Sequence, residues 1–307
     1  MGNFNNLQKM TVSEAASEWL MIHCANLAKS TVYQYQTYFR AYILPVIGSK
    51  DIAEVHHKDI QRIINRMAGK GLAKKTQKNA VGNISSFFSY LVANGYIAES
   101  PVKKVIFRET TPYEYYIYSG EEFRKLLSCC LTEKDRTVLV LGGLCGLRLS
   151  EIFGLKWSDI SFITPEKAVI HIHRAAVTIG NKKMDYKCTT KSAAGNRIIQ
   201  LNKEASSELM QYYQNVKNKT GLLFPSKEDP SKPEMAQNFK SRFNRCIKRA
   251  GLPHTRFHDL RHFAATEFLD AAVPDKLAAA YLGHSDTNMT KKYQHIRKKV
   301  IPYPIAQ

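Results

Sequence analysis

Four short segments of this 307-residue chain carry side chains that could do chemistry. They are GLRLSEIFGLKWSDI from residue 146, TTKSAAGNRIIQL from residue 189, HDLRHFAAT from residue 258 and LGHSDTNMTKKYQHI from residue 282. Each has an ordinary reading when taken alone. Arg148 at a helix start, with Glu151 three residues on, makes a helix ion pair. Lys191 in a turn is a solvated lysine. His258 and Arg261 lie three apart and so face one side of a helix, and Tyr293 is one of sixteen tyrosines. His258 and His262, at i and i+4, have the spacing of a helical zinc pair. The zinc-protease pattern, however, needs Glu where this chain has Asp259, and Arg261 between the two ligands would repel a dication. No metal and no other cofactor is expected.

The combination says more than its parts. Arg, Lys, His-x-x-Arg, Gly-His and Tyr, in this order and at these spacings, resemble the tyrosine recombinase (phage integrase) family in its two-domain form. The resemblance covers nearly the whole chain. It implies Arg148 and Arg261 as an arginine pair, Lys191 as the lysine between two strands, His258 and His284 as the two histidine positions, and Tyr293 as the nucleophile. Glu151 matches the acidic position after the first arginine and supports it. The implied reaction is site-specific cleavage and rejoining of DNA strands through a 3′-phosphotyrosine intermediate.

Those residue types suit that reaction. Attack on a phosphodiester builds negative charge on the non-bridging oxygens, which two guanidinium forks can hold bidentately while staying charged at any working pH. A free tyrosine has a pKa of about 10, so only ~0.1% is phenolate at pH 7, a handicap of roughly 4 kcal/mol. A cationic cluster lowers that handicap, and His258 is the proton acceptor. Lys191 then protonates the departing 5′-oxygen, the role the resemblance implies. Bond energy is kept in the phosphotyrosine, so rejoining needs neither ATP nor metal.

Composition points to the same partner. Lys and Arg total 45 against 26 Asp and Glu, a formal charge of +19. So basic a balance calls for a polyanion, nucleic acid before an anionic membrane surface. The longest apolar run, residues 138–147, is broken by Gly142, Gly143 and Gly146 and falls well short of the ~20 residues a membrane span needs. The N-terminus lacks the apolar core of a signal peptide, and Asn6 stands where a myristoylation signal at Gly2 would require Ser or Thr. Six cysteines without a C-x-x-C pair suit buried thiols in a reducing cytoplasm. The expected location is the bacterial cytoplasm, with the nucleoid.

The elements that must position these residues fall into a multidomain, mainly α architecture: an all-α N-terminal core-binding domain and an α+β catalytic domain with a small antiparallel sheet. After an N-terminal segment (1–10), residues 11–99 read as four helices. Thr11 and Glu14 form a capping box, a second helix runs from Ser30 to before Pro45, and Ile60, Ile63, Ile64 and Met67 stripe a third. Val81, Ile84, Phe88 and Leu91 stripe a fourth. Residues 100–118 read as a linker with a Tyr-rich end that packs onto the next domain. Ser119 and Glu122 cap the first helix of the catalytic domain, residues 119–300. Helices are expected at 136–145, 203–216, 235–250, 258–269 and 274–282, and strands around 168–173, 186–190 and 197–201. A short tail, 301–307, follows.

The expected partner is double-stranded DNA carrying specific recombination sites. Lys74, Lys75 and Lys78 at the entry of the fourth helix, and Lys240, Arg242, Arg245 and Lys248 on the 235–250 helix, are the candidate DNA contacts. The resemblance implies a homo-tetramer on two sites, with a directionality factor or a host DNA-bending protein as further candidates. Pro302 and Pro304 suit a short exchanged strand or arm rather than a long exchanged helix. The LGHSD-to-KKYQHI end looks like integrases of phages and conjugative elements, whereas the few residues before 11 leave no room for the extra arm-binding domain many of these carry. A chromosome-dimer resolvase is therefore the alternative role. A type IB topoisomerase uses nearly the same constellation, and a non-catalytic repressor would need only the N-terminal unit.

Overall fold

Thr11 starts the first helix, α1 (Val12–Ile22). The Glu14 N–H donates to its hydroxyl at 3.2 Å, and the Thr11 N–H donates to the Glu14 carboxylate at 2.8 Å, the reciprocal cap expected of this spacing. The structure is a computed structural model describing residues 9–108, 116–179, 183–187 and 195–283. Its chain divides into two units, Met1–Tyr113 and Glu114–Gln307.

The first unit is helical throughout. After α1 come α2 (Lys29–Tyr38), α3 (Leu44–Ile47), α4 (His57–Gly69) and α5 (Lys74–Ala93). The helix expected to stop before Pro45 instead continues. Pro45 is the second residue of α3, and a π-helical turn at Phe39–Ile43 leads directly into it. The core is the set of stripes that periodicity predicts, with Ile60, Ile63, Ile64 and Met67 buried beside Ile84, Phe88 and Leu91. Trp19 anchors it, its ring 4.7 Å from Tyr35, 5.3 Å from Phe39 and 5.5 Å from Phe87. Part of the expected linker joins this core: Val105 is buried and Phe107 packs against it.

The second unit opens with α6 (Gly120–Ser128), capped by Ser119 and Glu122 as expected. Next come α7 (Glu133–Gly143), α8 (Leu149–Gly154), the strands β1 (Ile160–Thr164), β2 (Lys167–Ile172), β3 (Ala175–Ile179), β4 (Lys183–Lys187) and β5 (Arg197–Gln200), then α9 (Lys203–Asn215), α10 (Ala236–Ala250), α11 (Leu260–Asp270) and α12 (Asp275–Leu282). The strands form two antiparallel sheets, β1-β2-β5 and the hairpin β3-β4. β1 and β3 add to the three expected strands. At the end of the Tyr-rich stretch, Tyr118 is buried in this unit's core and donates to the Pro253 carbonyl at 2.7 Å.

The apolar helix α7 runs through that core. A Cβ on Gly142 would lie 2.4 Å from the Phe257 ring, so the glycine lets this ring, next to His258, lie against α7. Among the described residues, no helix is long and apolar enough to cross a membrane.

Candidate active site

Arg148 stands at the N-cap of α8 in extended backbone. Its N–H donates to Glu151 at 2.9 Å, and its guanidinium Nη1 donates to the same carboxylate at 2.8 Å. Glu151 is only 3% exposed, so a lone charge there would be costly. A second cation shares it. Arg197, the first residue of β5, donates Nη1 and Nη2 to the two Glu151 oxygens at 3.1 and 3.2 Å. Burial works to raise the Glu151 pKa, but the hydrogen bonds and charges of Arg197 and Arg148 prevail and hold it below its ordinary value. The carboxylate is therefore ionised wherever the enzyme works.

The last turn of α12 meets these arginines from the other side. Tyr281 O accepts from Arg197 Nε at 2.7 Å, Leu282 O from Arg261 Nη2 at 2.5 Å, and Gly283 O from Arg148 Nη2 at 3.1 Å. Three consecutive carbonyls at the negative end of a helix thus each take a different guanidinium, satisfying acceptors that a helix C-terminus leaves open. Arg261, 2% exposed on α11, also donates Nη1 to Gly146 O at 2.6 Å. Gly146 has φ 63°, and a Cβ there would lie 2.3 Å from Leu282 Cδ2. Only glycine lets α7 hand over to Arg148 this close to α12.

His258 occupies a 3-10 turn, Phe257–Asp259, immediately ahead of α11. His258 and Arg261 thus sit in consecutive helical elements rather than on one helix face: the histidine is open to solvent and the arginine buried. The Asp259 carboxylate accepts from the Arg256 N–H at 2.9 Å and fixes the turn. Crowding by its surroundings, then the charges of Arg261 and Arg148, push the His258 pKa below its ordinary value, leaving a neutral imidazole able to accept a proton. His262, one turn on with its ring centroid 5.8 Å from that of His258, is pushed to about 4 by burial and by the His258 charge.

Arg148 and His258 open onto a cleft of about 650 Å³. Lys240, Asn244, His254 and Arg256 join them in its lining, and among the described residues no carboxylate does. Arg148 keeps 34% of its side chain exposed there. Such a cleft attracts an anion and holds its oxygens by charge-assisted hydrogen bonds. A larger recess of about 850 Å³ lies in the first unit, but Glu14, Glu18, Asp51 and Glu54 line it and make it hostile to phosphate.

Of the expected site residues, Arg148, Glu151, His258 and Arg261 are brought together. Lys191, His284 and Tyr293 lie outside the described residues, although Gly283, which accepts from Arg148, directly precedes His284 in the chain. Lys75 and Lys78 are exposed on the first turns of α5, and Lys74 is half-buried. On α10, Lys240 reaches the cleft while Arg245 and Lys248 are exposed elsewhere on the helix. Arg242 is engaged by Asp135 at 2.9 Å and Glu234 at 2.5 Å, tying α10 to α7. Arg197 went unnoticed in the sequence, where it reads as a strand's first residue. Its only signal was a charged residue opening a short strand, RIIQ.

The sequence pattern of the phage integrase family matches residues 118–299, and that of the phage integrase central domain matches residues 12–106. The chain belongs to the phage integrase family, and it is a tyrosine-type site-specific recombinase. A protein named "Tyrosine recombinase XerC-like" from Caldanaerobacter subterraneus subsp. tengcongensis is 27% identical over 322 residues, covering 96% of this chain and 81% of the relative. The fold is that of the Tn1549 transposon integrase, solved in complex with a circular intermediate DNA. The TM-score is 0.78 at 22% identity, over 92% of this chain and 94% of that one. A lambda integrase tetramer bound to a Holliday junction aligns with a TM-score of 0.71 at 17% identity, over 93% and 78% of the two chains.

Proposed function

We propose that this recombinase breaks and rejoins DNA at specific sites for a mobile element, with Tyr293 as its nucleophile. The observation that carries the reading is the cleft onto which Arg148 and His258 open, its described lining holding Lys240 and Arg256 and no carboxylate, with Arg261 locked behind them. In this reading Arg148 and Arg261 hold the non-bridging oxygens of the scissile phosphate and stabilise the charge that builds there. His258, kept neutral, accepts the Tyr293 proton. Tyr293 attacks phosphorus, the bond to the 5′-oxygen breaks, and Lys191 supplies the proton that leaves with it. His284 adds a hydrogen bond to the phosphate. The products are a 3′-phosphotyrosine and a free 5′-hydroxyl, and reversal onto a new 5′-hydroxyl completes exchange.

Coordinated exchange needs four active subunits on two double-stranded sites, and the tetrameric assembly of the similarly folded lambda integrase supports that arrangement. Likeness to a transposon integrase supports a mobile-element role. The XerC-like relative favours a second role, resolution of chromosome dimers, in which the reaction at each site is the same. Either role places the protein with the DNA of a bacterial cytoplasm. Lys74, Lys75 and Lys78, with Lys240, Arg245 and Lys248, would hold backbone phosphates, so binding should weaken steeply with salt.

The test is Tyr293→Phe on a DNA carrying the element's junction. Wild type should form a covalent protein–DNA adduct with chelator present and ATP absent, and the variant should bind the same DNA without forming it. An adduct that persists in the variant overturns the assignment of Tyr293.

A further inference from the structure

Arg197 is one of three guanidinia that meet the last turn of α12, and it lies away from the cleft. Its side chain is 8% exposed. Nη1 and Nη2 are committed to Glu151, and Nε is committed to Tyr281 O. It does not line the cleft. A buried ion pair adds little stability over well-packed apolar residues, so stability alone does not account for a guanidinium in this place. What it does is geometric. It joins β5, the carboxylate of α8 and the last turn of α12, three segments far apart in sequence. Two of these segments also touch the arginines assigned to the phosphate: Glu151 of α8 holds Arg148, and at the end of α12 Gly283 O accepts from Arg148 and Leu282 O from Arg261.

We infer that Arg197 is a positioning residue of the cleavage reaction, fixing Glu151 and the C-terminal turn of α12 so that Arg148 and Arg261 meet the phosphate in one register. This rests on the reading of Arg148 and Arg261 as the phosphate-holding pair. Without Arg197, Glu151 keeps a single cation and the last turn of α12 loses one of its three guanidinium contacts. Lysine is a poor replacement, because a compact ammonium does not reproduce the planar fork that meets both Glu151 oxygens and Tyr281 O at once. Among the described residues, Arg148 and Arg197 are the charged groups on Glu151. β3, which packs against α8, carries no ionisable residue, and the ionisable residues of α7 all lie in its first turn. Across the cleft, His258 feels the Glu151 charge, and α10 contributes Lys240.

The experiment measures adduct formation in a single turnover on nicked DNA, with protein bound beforehand, for Arg197→Lys and Arg197→Met. Both variants should bind DNA within about threefold of wild type, yet cleave about 100-fold more slowly, the scale of loss that a misplaced catalytic group produces. Arg197→Met should also gain a fall in rate toward acid, because Glu151 now protonates within the working range and releases Arg148. Adding Glu151→Gln should remove that fall while leaving the enzyme slow at every pH. In parallel, the 13C-carboxyl titration of Glu151 should move to higher pH in Arg197→Lys and Arg197→Met. A near-wild-type rate and pH profile in Arg197→Lys overturns the inference. So does a loss of rate matched by equal loss of DNA binding and of cooperative unfolding. If wild type forms no adduct, the reading of the reaction fails instead; the carboxyl titration still decides whether Arg197 governs Glu151.

Discussion

Both units bury a carboxylate at the third position of a helix, and they use it differently. In the first unit Asp59 of α4 accepts from the His56 N–H at 3.1 Å, Lys50 at 2.9 Å and Arg62 at 3.4 Å. Those cations keep 33% and 61% of their side chains exposed and reach water. In the second unit Glu151 of α8 makes the same reach back to a capping N–H, but its cations go on to the carbonyls of α12. One local device ends in solvent and serves stability. The other extends into a network that holds Arg148 at the edge of a cleft. A capping acid thus becomes part of the candidate site when its partners have a second appointment.

The sharpest way to break this comparison is to weaken each network at one residue. Arg148→Lys should slow adduct formation by at least about 100-fold, because an ammonium cannot replace the bidentate fork, and should barely change stability. Asp59→Asn should do the reverse. It should cost about 2 kcal/mol of stability, less than a fully buried pair because Lys50 and Arg62 can turn to water, while pre-bound DNA is cleaved at the wild-type rate. Denaturant unfolding and single-turnover cleavage on both variants measure the two effects.

A second pair compares glycines of positive φ. Gly146→Ala places a methyl against Leu282 and displaces the turn of α12 that the arginines grip, so about 2–4 kcal/mol of stability and at least about tenfold in cleavage should be lost. Gly71, after α4, has φ 72° with open space around it, and Gly71→Ala should cost only about 1 kcal/mol with no effect on cleavage.

The last comparison concerns acid and leaves cleavage aside. His262 is held neutral, with a pKa of about 4 against an ordinary value near 6.5. Between those values the unfolded chain takes up a proton that the folded one does not, so stability falls as pH drops from about 6.5 to 4, by up to about 3 kcal/mol. Asp59 has the opposite chemistry. Burial raises its pKa, but Lys50, the His56 N–H and Arg62 outweigh burial and hold it low, so its contribution is present above about pH 3.9 and fades only below that. The second unit should therefore weaken first. Each unit carries one of the chain's two tryptophans, Trp19 and Trp157. Single-tryptophan variants followed by fluorescence separate the two transitions, and His262→Gln should flatten the slope in the second unit alone.

Much of this was legible in the sequence because it depends on neighbours in the chain. The caps at Thr11 and Ser119 and the stripes of α4 and α5 are local patterns, and they lie where spacing puts them. Pro45 misled because its effect depends on helical phase, which the turn at Phe39–Ile43 changes. β3 was hidden by its alanines, which carry little strand preference, and β1 by a largely exposed face. Arg148, Glu151, His258 and Arg261 were found as a set in family order. Arg197 was missed because its burial is decided by a carboxylate 46 residues away and by a backbone carbonyl, which no residue type announces.

The most direct measurement is to trap the covalent complex on nicked DNA, digest it and locate the nucleotide-bearing peptide by mass spectrometry. The account predicts the modification on Tyr293, joined to the 3′-phosphate. A nucleotide on any other residue, Tyr281 or Tyr303 included, or strand cleavage with no protein attached, would contradict it.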